Sequence, residues 1–233
     1  VISGTILGRG VAGTQGRVTV PYSLVKPDKS VPTLAAIAIE SRRWRTTVER
    51  YRDLVRAGNL PASVAQRAQF TDEALATAAE MVRLGRRGVI MVQAEDGRVL
   101  GFSQYDVIGR EGYLHLQATD PDHIPGSPGT GQIRGIGTAL VSAVSREMLA
   151  AGADTLYVKP LDPQASEFWQ ARGFAYCGGQ MLCVRGRAAI EALKGGCEAR
   201  PDCPDQGDCL ICGLPEDTQA MRVPVGKARV NYA

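Results

Sequence analysis

Residues 111–158 limit the fold of this chain more than any other stretch. "GYLHLQAT" alternates apolar and polar residues, as a half-buried strand does. "DPDHIPGSPGTG" is a Pro/Gly loop. "GQIRGIGTALVSAV" then carries glycines straight into a helix-forming segment over about residues 136–151, and "DTLYVKPL" is again a strand. A strand–helix–strand crossover makes a parallel pair and needs a covering layer. Glycines at the start of such a helix let the backbone approach a ligand closely. The free N–H groups and the positive helix end then favour a phosphate.

Residues 1–33 are read as an N-terminal strand or arm, in which "RVTVPYSLV" is a strand carrying Pro21, better suited to a sheet edge than a centre. The segment 34–57 is read as a helix, because Ile37, Trp44, Val48, Tyr51 and Val55 share one face. A short helical stretch runs from Pro61 to about Gln69. A second helix begins after Thr71, its expected cap, and stops at Gly85. "GVIMVQAE" and "RVLGFSQYDVI" flank Asp96-Gly97, a hairpin signal. "DPQASEFWQARGF" is a short helix from Pro163 to Gly173, followed by two closing strands and the helix "AAIEALKGG". The expected fold class is α/β: a mixed, mostly antiparallel central sheet with helices on both faces and a small C-terminal metal-binding tail.

Gln132-Ile133-Arg134-Gly135-Ile136-Gly137 resembles the Q/R-x-x-G-x-G/A signature of the GNAT family of acyl-CoA-dependent N-acyltransferases. A second match is Asp162, Ala165, Phe168, Trp169, Gly173 and Phe174, which stand where that family has N-x-x-A-x-x-L-Y-x-x-x-G-F. The resemblance covers about residues 34–186. It implies coenzyme A, as acetyl-CoA, held by Gln132, Ile133, Arg134, Gly135, Ile136, Gly137 and Thr138 at the helix start. Asp162, Ala165, Phe168 and Trp169 would add to that site. Backbone N–H groups around Leu116 to Ala118 would support the thioester oxygen. The sequence departs from the pattern in three places. Trp169 replaces a Tyr that protonates the leaving thiolate in many members, and an indole N–H is no acid. Asp162 replaces Asn. The proline loop before the glycines is long.

An amine must lose a proton to attack a thioester, so a base is needed. His115, on the strand before the motif, has a suitable intrinsic pKa. Gln117, two residues on, is expected to share its face, and Asp106 is the other candidate. Asp120, Asp122 and His123 read as turn chemistry rather than a metal site.

Residues 187–233 form the expected third unit. Cys197, Cys203, Cys209 and Cys212 crowd there as C-x5-C-x5-C-x2-C, a set that suits structural zinc. Iron–sulfur ligation, disulfides and free thiols stay open. Net charge is only +3, too little to demand a polyanion. The stripe of Arg42, Arg45, Arg52 and Arg56, with Arg43, is nonetheless a candidate contact for nucleic acid or tRNA. No membrane-length apolar run and no signal-peptide pattern is present, so the chain is expected to be cytoplasmic. The expected function is direct transfer of an acyl group, acetyl first, from coenzyme A to an amine. Two alternatives stand beside it: an enzyme of the same fold that modifies a nucleic acid base or aminoacyl-tRNA, and a non-catalytic binding module.

Overall fold

The computed structural model describes residues 2–9, 17–85, 87–124, 126–128, 133 and 135–193. Strands β1 (Ile2–Arg9) and β2 (Arg17–Val25) precede two long helices, α1 (Val31–Arg56) and α2 (Ala62–Leu84). Strands β3 (Gly88–Ala94), β4 (Val99–Ile108) and β5 (Glu111–Thr119) follow, then a 3-10 turn at Pro121–His123 and α3 (Ile136–Ala150). The remainder is β6 (Thr155–Val158), α4 (Pro163–Gln170), β7 (Ala175–Gly178), β8 (Met181–Arg185) and α5 (Arg187–Ala192). All strands join one eight-stranded sheet in the order β1-β2-β3-β4-β5-β6-β8-β7. Among the described residues the single parallel pair is β5 with β6, the two strands joined by the crossover through α3.

Each face of the sheet carries its own core. On one face α1 and α2 bury Ile37, Trp44, Leu75, Ala78 and Val82 against Val89, Met91 and Phe102. On the other, Ile136, Leu140, Val144 and Met148 of α3 pack on Ile90, Leu100, Leu156 and Leu182. Trp169 of α4 and Ile190 of α5 complete that second cluster. Burial of each such side chain contributes about 1.5–3 kcal/mol. Gly101 lets α3 lie this close: a Cβ there would meet Ile136 Cγ2 at 2.7 Å and the Ala118 carbonyl at 2.8 Å.

Three local expectations are revised. First, α2 is one continuous helix, and Thr71 sits buried inside it rather than capping its start. Its hydroxyl donates to the Ala68 carbonyl at 2.7 Å. No Gly or Pro interrupts residues 62–84, and Ala65, Ala68, Leu75 and Ala78 are buried along its length, so packing joins what local signals divided. Second, β2 is an interior strand, pairing with β1 and, over Tyr22–Val25, with β3; Pro21 is opposite Thr5 of β1 and stands just before the stretch paired with β3, so one side of it is unpaired. The expected strand over "RVTVPYSLV" forms as β2, and with β1 it extends the central sheet. Third, α1 begins at Val31 behind Ser30, whose Oγ accepts the Thr33 N–H at 3.4 Å. The Asp96-Gly97 hairpin forms as expected, with Gly97 at φ 83°.

Candidate active site

The parallel pair opens into a cleft. β5 and β6 pair from Glu111–Thr155 to Leu114–Val158. There β6 ends, while β5 runs on to Thr119. The edge of β5 over residues 115–119 is left without a β6 partner and borders a cavity of about 380 Å3. Its other walls are Arg67, Phe70 and Thr71 of α2, the start of α3, the turn after β6, and Phe168 and Trp169 of α4.

A bulge in β5 shapes the wall. Gln104 pairs with Leu116 and Tyr105 with Leu114, so His115 is the extra residue. The bulge reverses which face successive side chains take. Leu114 packs into the α3-side core, whereas Leu116 and Ala118 pack into the α1/α2-side core. His115 stacks with Tyr113 at 6.4 Å and an interplanar angle of 22°. Gln117 is turned the other way, accepting from Ser103 Oγ at 3.1 Å and donating to the Gly137 carbonyl at 3.3 Å. The simple alternation that put His115 and Gln117 on one face is therefore corrected. Gln117 ties β4 and β5 to the first turn of α3, and its polar atoms are engaged in doing so.

His115 is exposed at the cleft, and burial of its inner part with the nearby Arg87 lowers its pKa, against Asp106, which raises it. The downward shift favours the neutral imidazole, the form that accepts a proton. Asp106 does not line the cavity; its Oδ1 accepts the Val107 N–H at 3.1 Å.

At the base of the cleft Gly135 has φ 84°, a left-handed conformation natural to glycine, and among the described residues no side chain caps α3. Gly135, Ile136, Gly137 and Thr138 all line the cavity. A Cβ on Gly137 would come within 3.2 Å of Phe168 and 3.4 Å of Gln117 Nε2, a tight approach that those side chains would have to ease. Arg172 donates to Thr138 Oγ1 at 2.6 Å and to the Phe168 carbonyl at 2.8 Å, with its guanidinium 3.5 Å from the Phe168 ring centre. Arg67 and Lys159 add positive charge, and Asp162 is the acidic residue among the lining side chains described. This wall suits an anion. Ile133 is buried behind the glycines, while Gln132 and Arg134 lie outside the described residues.

Asp162 caps α4, accepting the Ala165 N–H at 2.7 Å, and faces Arg67. Trp169 borders the cavity but is mainly core, 5% exposed and edge-on to both Phe168 and Phe174. No tyrosine is among the described residues that line the cavity.

His123 was not singled out from the sequence, where Asp-Pro-Asp-His read as a plain turn. It borders the cavity, and its Nδ1 accepts the Ile133 N–H at 3.3 Å, which places its proton on Nε2. Nε2 is buried without a hydrogen-bond partner among the described residues. Burial lowers its pKa despite Asp120 and Asp122. The turn itself is clamped by α1: Arg43 pairs with Asp120 at 2.5 Å and Arg50 with Asp122 at 2.6 Å, while the Tyr51 hydroxyl donates to Asp122 at 3.0 Å. Sequence signals for this role were absent, because the partners lie more than seventy residues apart.

Arg43 is therefore spent internally rather than offered to nucleic acid. Arg42, Arg45, Arg52 and Arg56 are exposed, yet Arg45 lies 3.5 Å from Asp72 and Arg56 2.8 Å from Asp53. Cys197, Cys203, Cys209 and Cys212 lie outside the described residues. Among the described residues no group of three or more His, Cys, Asp or Glu could hold a metal ion. No helix among the described residues is long and apolar enough to cross a membrane.

No family model and no curated protein matches the chain by sequence. Solved structures are similar at low identity. Tetrahymena GCN5 is 13% identical over 70% of this chain and 94% of its own, with a TM-score of 0.45. The PaiA N-acetyltransferase of Thermoplasma acidophilum, in complex with coenzyme A, is 15% identical over 70% and 98%, with a TM-score of 0.42. A mutant AtaT toxin bound to the C-terminus of the antitoxin AtaR is 22% identical over 53% and 81%, with a TM-score of 0.42.

Proposed function

We propose that this chain is an acyl-CoA-dependent N-acyltransferase that moves an acyl group, acetyl first, directly to an amine. The observation that carries this reading is the cleft itself. An uncapped helix start built on Gly135 and Gly137 meets an unpaired strand edge in one cavity. The first suits a pyrophosphate and the second suits an extended amide-bearing chain that adds beside β5. Coenzyme A carries both, and when bound it would supply an activated acyl carbonyl.

The chain's own residues then have distinct roles. The α3 start and Arg172 hold the anionic end. Backbone N–H groups around Leu116 to Ala118 donate to the carbonyl oxygen as negative charge develops. Neutral His115 takes the proton from the attacking amine, directly or through water. The C–S bond breaks and sulfur leaves as thiolate. An ordinary thiol has a pKa of about 8.5, so this departure tolerates the absence of a tyrosine acid at Trp169.

Calorimetric titration with acetyl-CoA tests the reading. Micromolar binding is expected, with release of free thiol once an acceptor amine is supplied. No binding at high micromolar concentration would sink it. Binding without thiol release across a broad amine panel would favour the non-catalytic alternative, which the indole at Trp169 supports.

A further inference from the structure

An ion pair crosses the cleft. Arg67 projects from α2, and Asp162 stands at the start of α4 on the opposite wall; both line the cavity. Arg67 Nε lies 3.4 Å from Asp162 Oδ2, and the two side chains are 31% and 30% exposed. This separation exceeds the roughly 2.7–2.9 Å of a charge-assisted hydrogen bond, so the pair is loose. Asp162 Oδ1 already caps α4 through the Ala165 N–H. An asparagine would cap as well, so α4 does not need the charge. What the charge does is hold Arg67 across the opening.

The surroundings favour an exchange of partners. The start of α3 packs against the last turn of α4, with Gly137 against Phe168, and Arg172, just past α4, joins the Phe168 carbonyl to Thr138. The α3 start favours negative charge and lines the same cavity as Arg67. An ion pair a third exposed contributes little, whereas a guanidinium can grip a phosphate through two parallel hydrogen bonds. We infer that the Arg67–Asp162 pair is a strap over the cleft, opened when a phosphate of the ligand takes Arg67 away from Asp162. This rests on the reading of the cleft as a site for a phosphate-bearing thioester. Arg67 is thereby a binding residue supplied by α2, far in sequence from the glycine motif. Asp162 is a gate that keeps the cleft covered before ligand arrives.

Calorimetry on the full chain separates the parts, with coenzyme A and S-acetylpantetheine, which has no phosphate, as probes. Arg67→Gln should weaken coenzyme A about tenfold, the size of a lost hydrogen bond to a charged group, and leave S-acetylpantetheine unchanged. Asp162→Asn keeps the cap but frees Arg67, so coenzyme A should bind about threefold tighter. Equal affinity of Arg67→Gln and wild type for coenzyme A would overturn the strap. So would equal weakening of both probes, which would mean a damaged wall, or weaker coenzyme A binding by Asp162→Asn. These outcomes leave the acyltransferase reading standing if wild type binds coenzyme A. Wild type that binds neither probe overturns both.

Discussion

Two arginine–carboxylate pairs flank the cleft, and they are built differently. Arg43 meets Asp120 at 2.5 Å, also bonds Glu40 and the Val99 carbonyl, and leaves Asp120 fully buried. Arg67 meets Asp162 at 3.4 Å with both side chains about a third exposed. The first is a fixed joint between α1 and the turn that supports the α3 start. The second is free to open. The same two residue types thus serve structure in one place and ligand exchange in the other, and burial decides which.

The sharpest way to break this contrast is Asp120→Ala. It removes the buried partner of Arg43, which keeps Glu40, and the acceptor of the Asp122 N–H, and should cost about 1–3 kcal/mol in denaturant unfolding. Asp162→Asn should change stability by less than about 1 kcal/mol. Similar losses for the two would erase the distinction. Next in size is His115→Ala, which should lower kcat by about 100-fold or more while leaving coenzyme A affinity and melting temperature near wild type. An unchanged rate would remove the base role. Gly137→Val fills space that Phe168 and Gln117 already border, and should weaken coenzyme A by about 1–3 kcal/mol in titration.

A pH series sharpens the roles of the two histidines. Both are held below the ordinary value of 6.5, chiefly by burial. The folded chain therefore binds fewer protons than the unfolded chain just below that pH. Their contribution to stability is full above the unfolded value and is lost as pH falls through the lowered folded value. Thermal melts should show this loss on acidification, and His123→Asn should flatten much of it, because protonated Nδ1 can no longer accept the Ile133 N–H. In kinetics, the rate should rise with pH through a value below 6.5 and level off above it, and His115→Ala should lack that limb. The smallest effect belongs to Arg45→Ala. Its exposed contact with Asp72 should be worth less than about 1 kcal/mol, with coenzyme A affinity unchanged.

Much of this architecture is visible in local pattern. Alternation marked β5, Asp96-Gly97 marked a hairpin, and the crossover through α3 required a parallel pair. Gly135 and Gly137 marked the bare-backbone turn that opens α3. Other features escaped local reading. Thr71 looked like a cap because a hydroxyl before two acids is a good start signal, yet the apolar face of α2 runs straight through it. The pairing of His115 with Gln117 followed simple alternation and failed at a bulge, which depends on the register against β4. The support from His123 and the strap from Arg67 needed partners remote in the chain.

The sequence by itself determined the order of elements, the parallel crossover and the bare-backbone turn, because periodicity and glycine conformation are properties of neighbours. Tertiary structure alone decided which charges became joints and which stayed free. Burial and pair geometry exist only once α1, α2 and α4 have closed around the sheet.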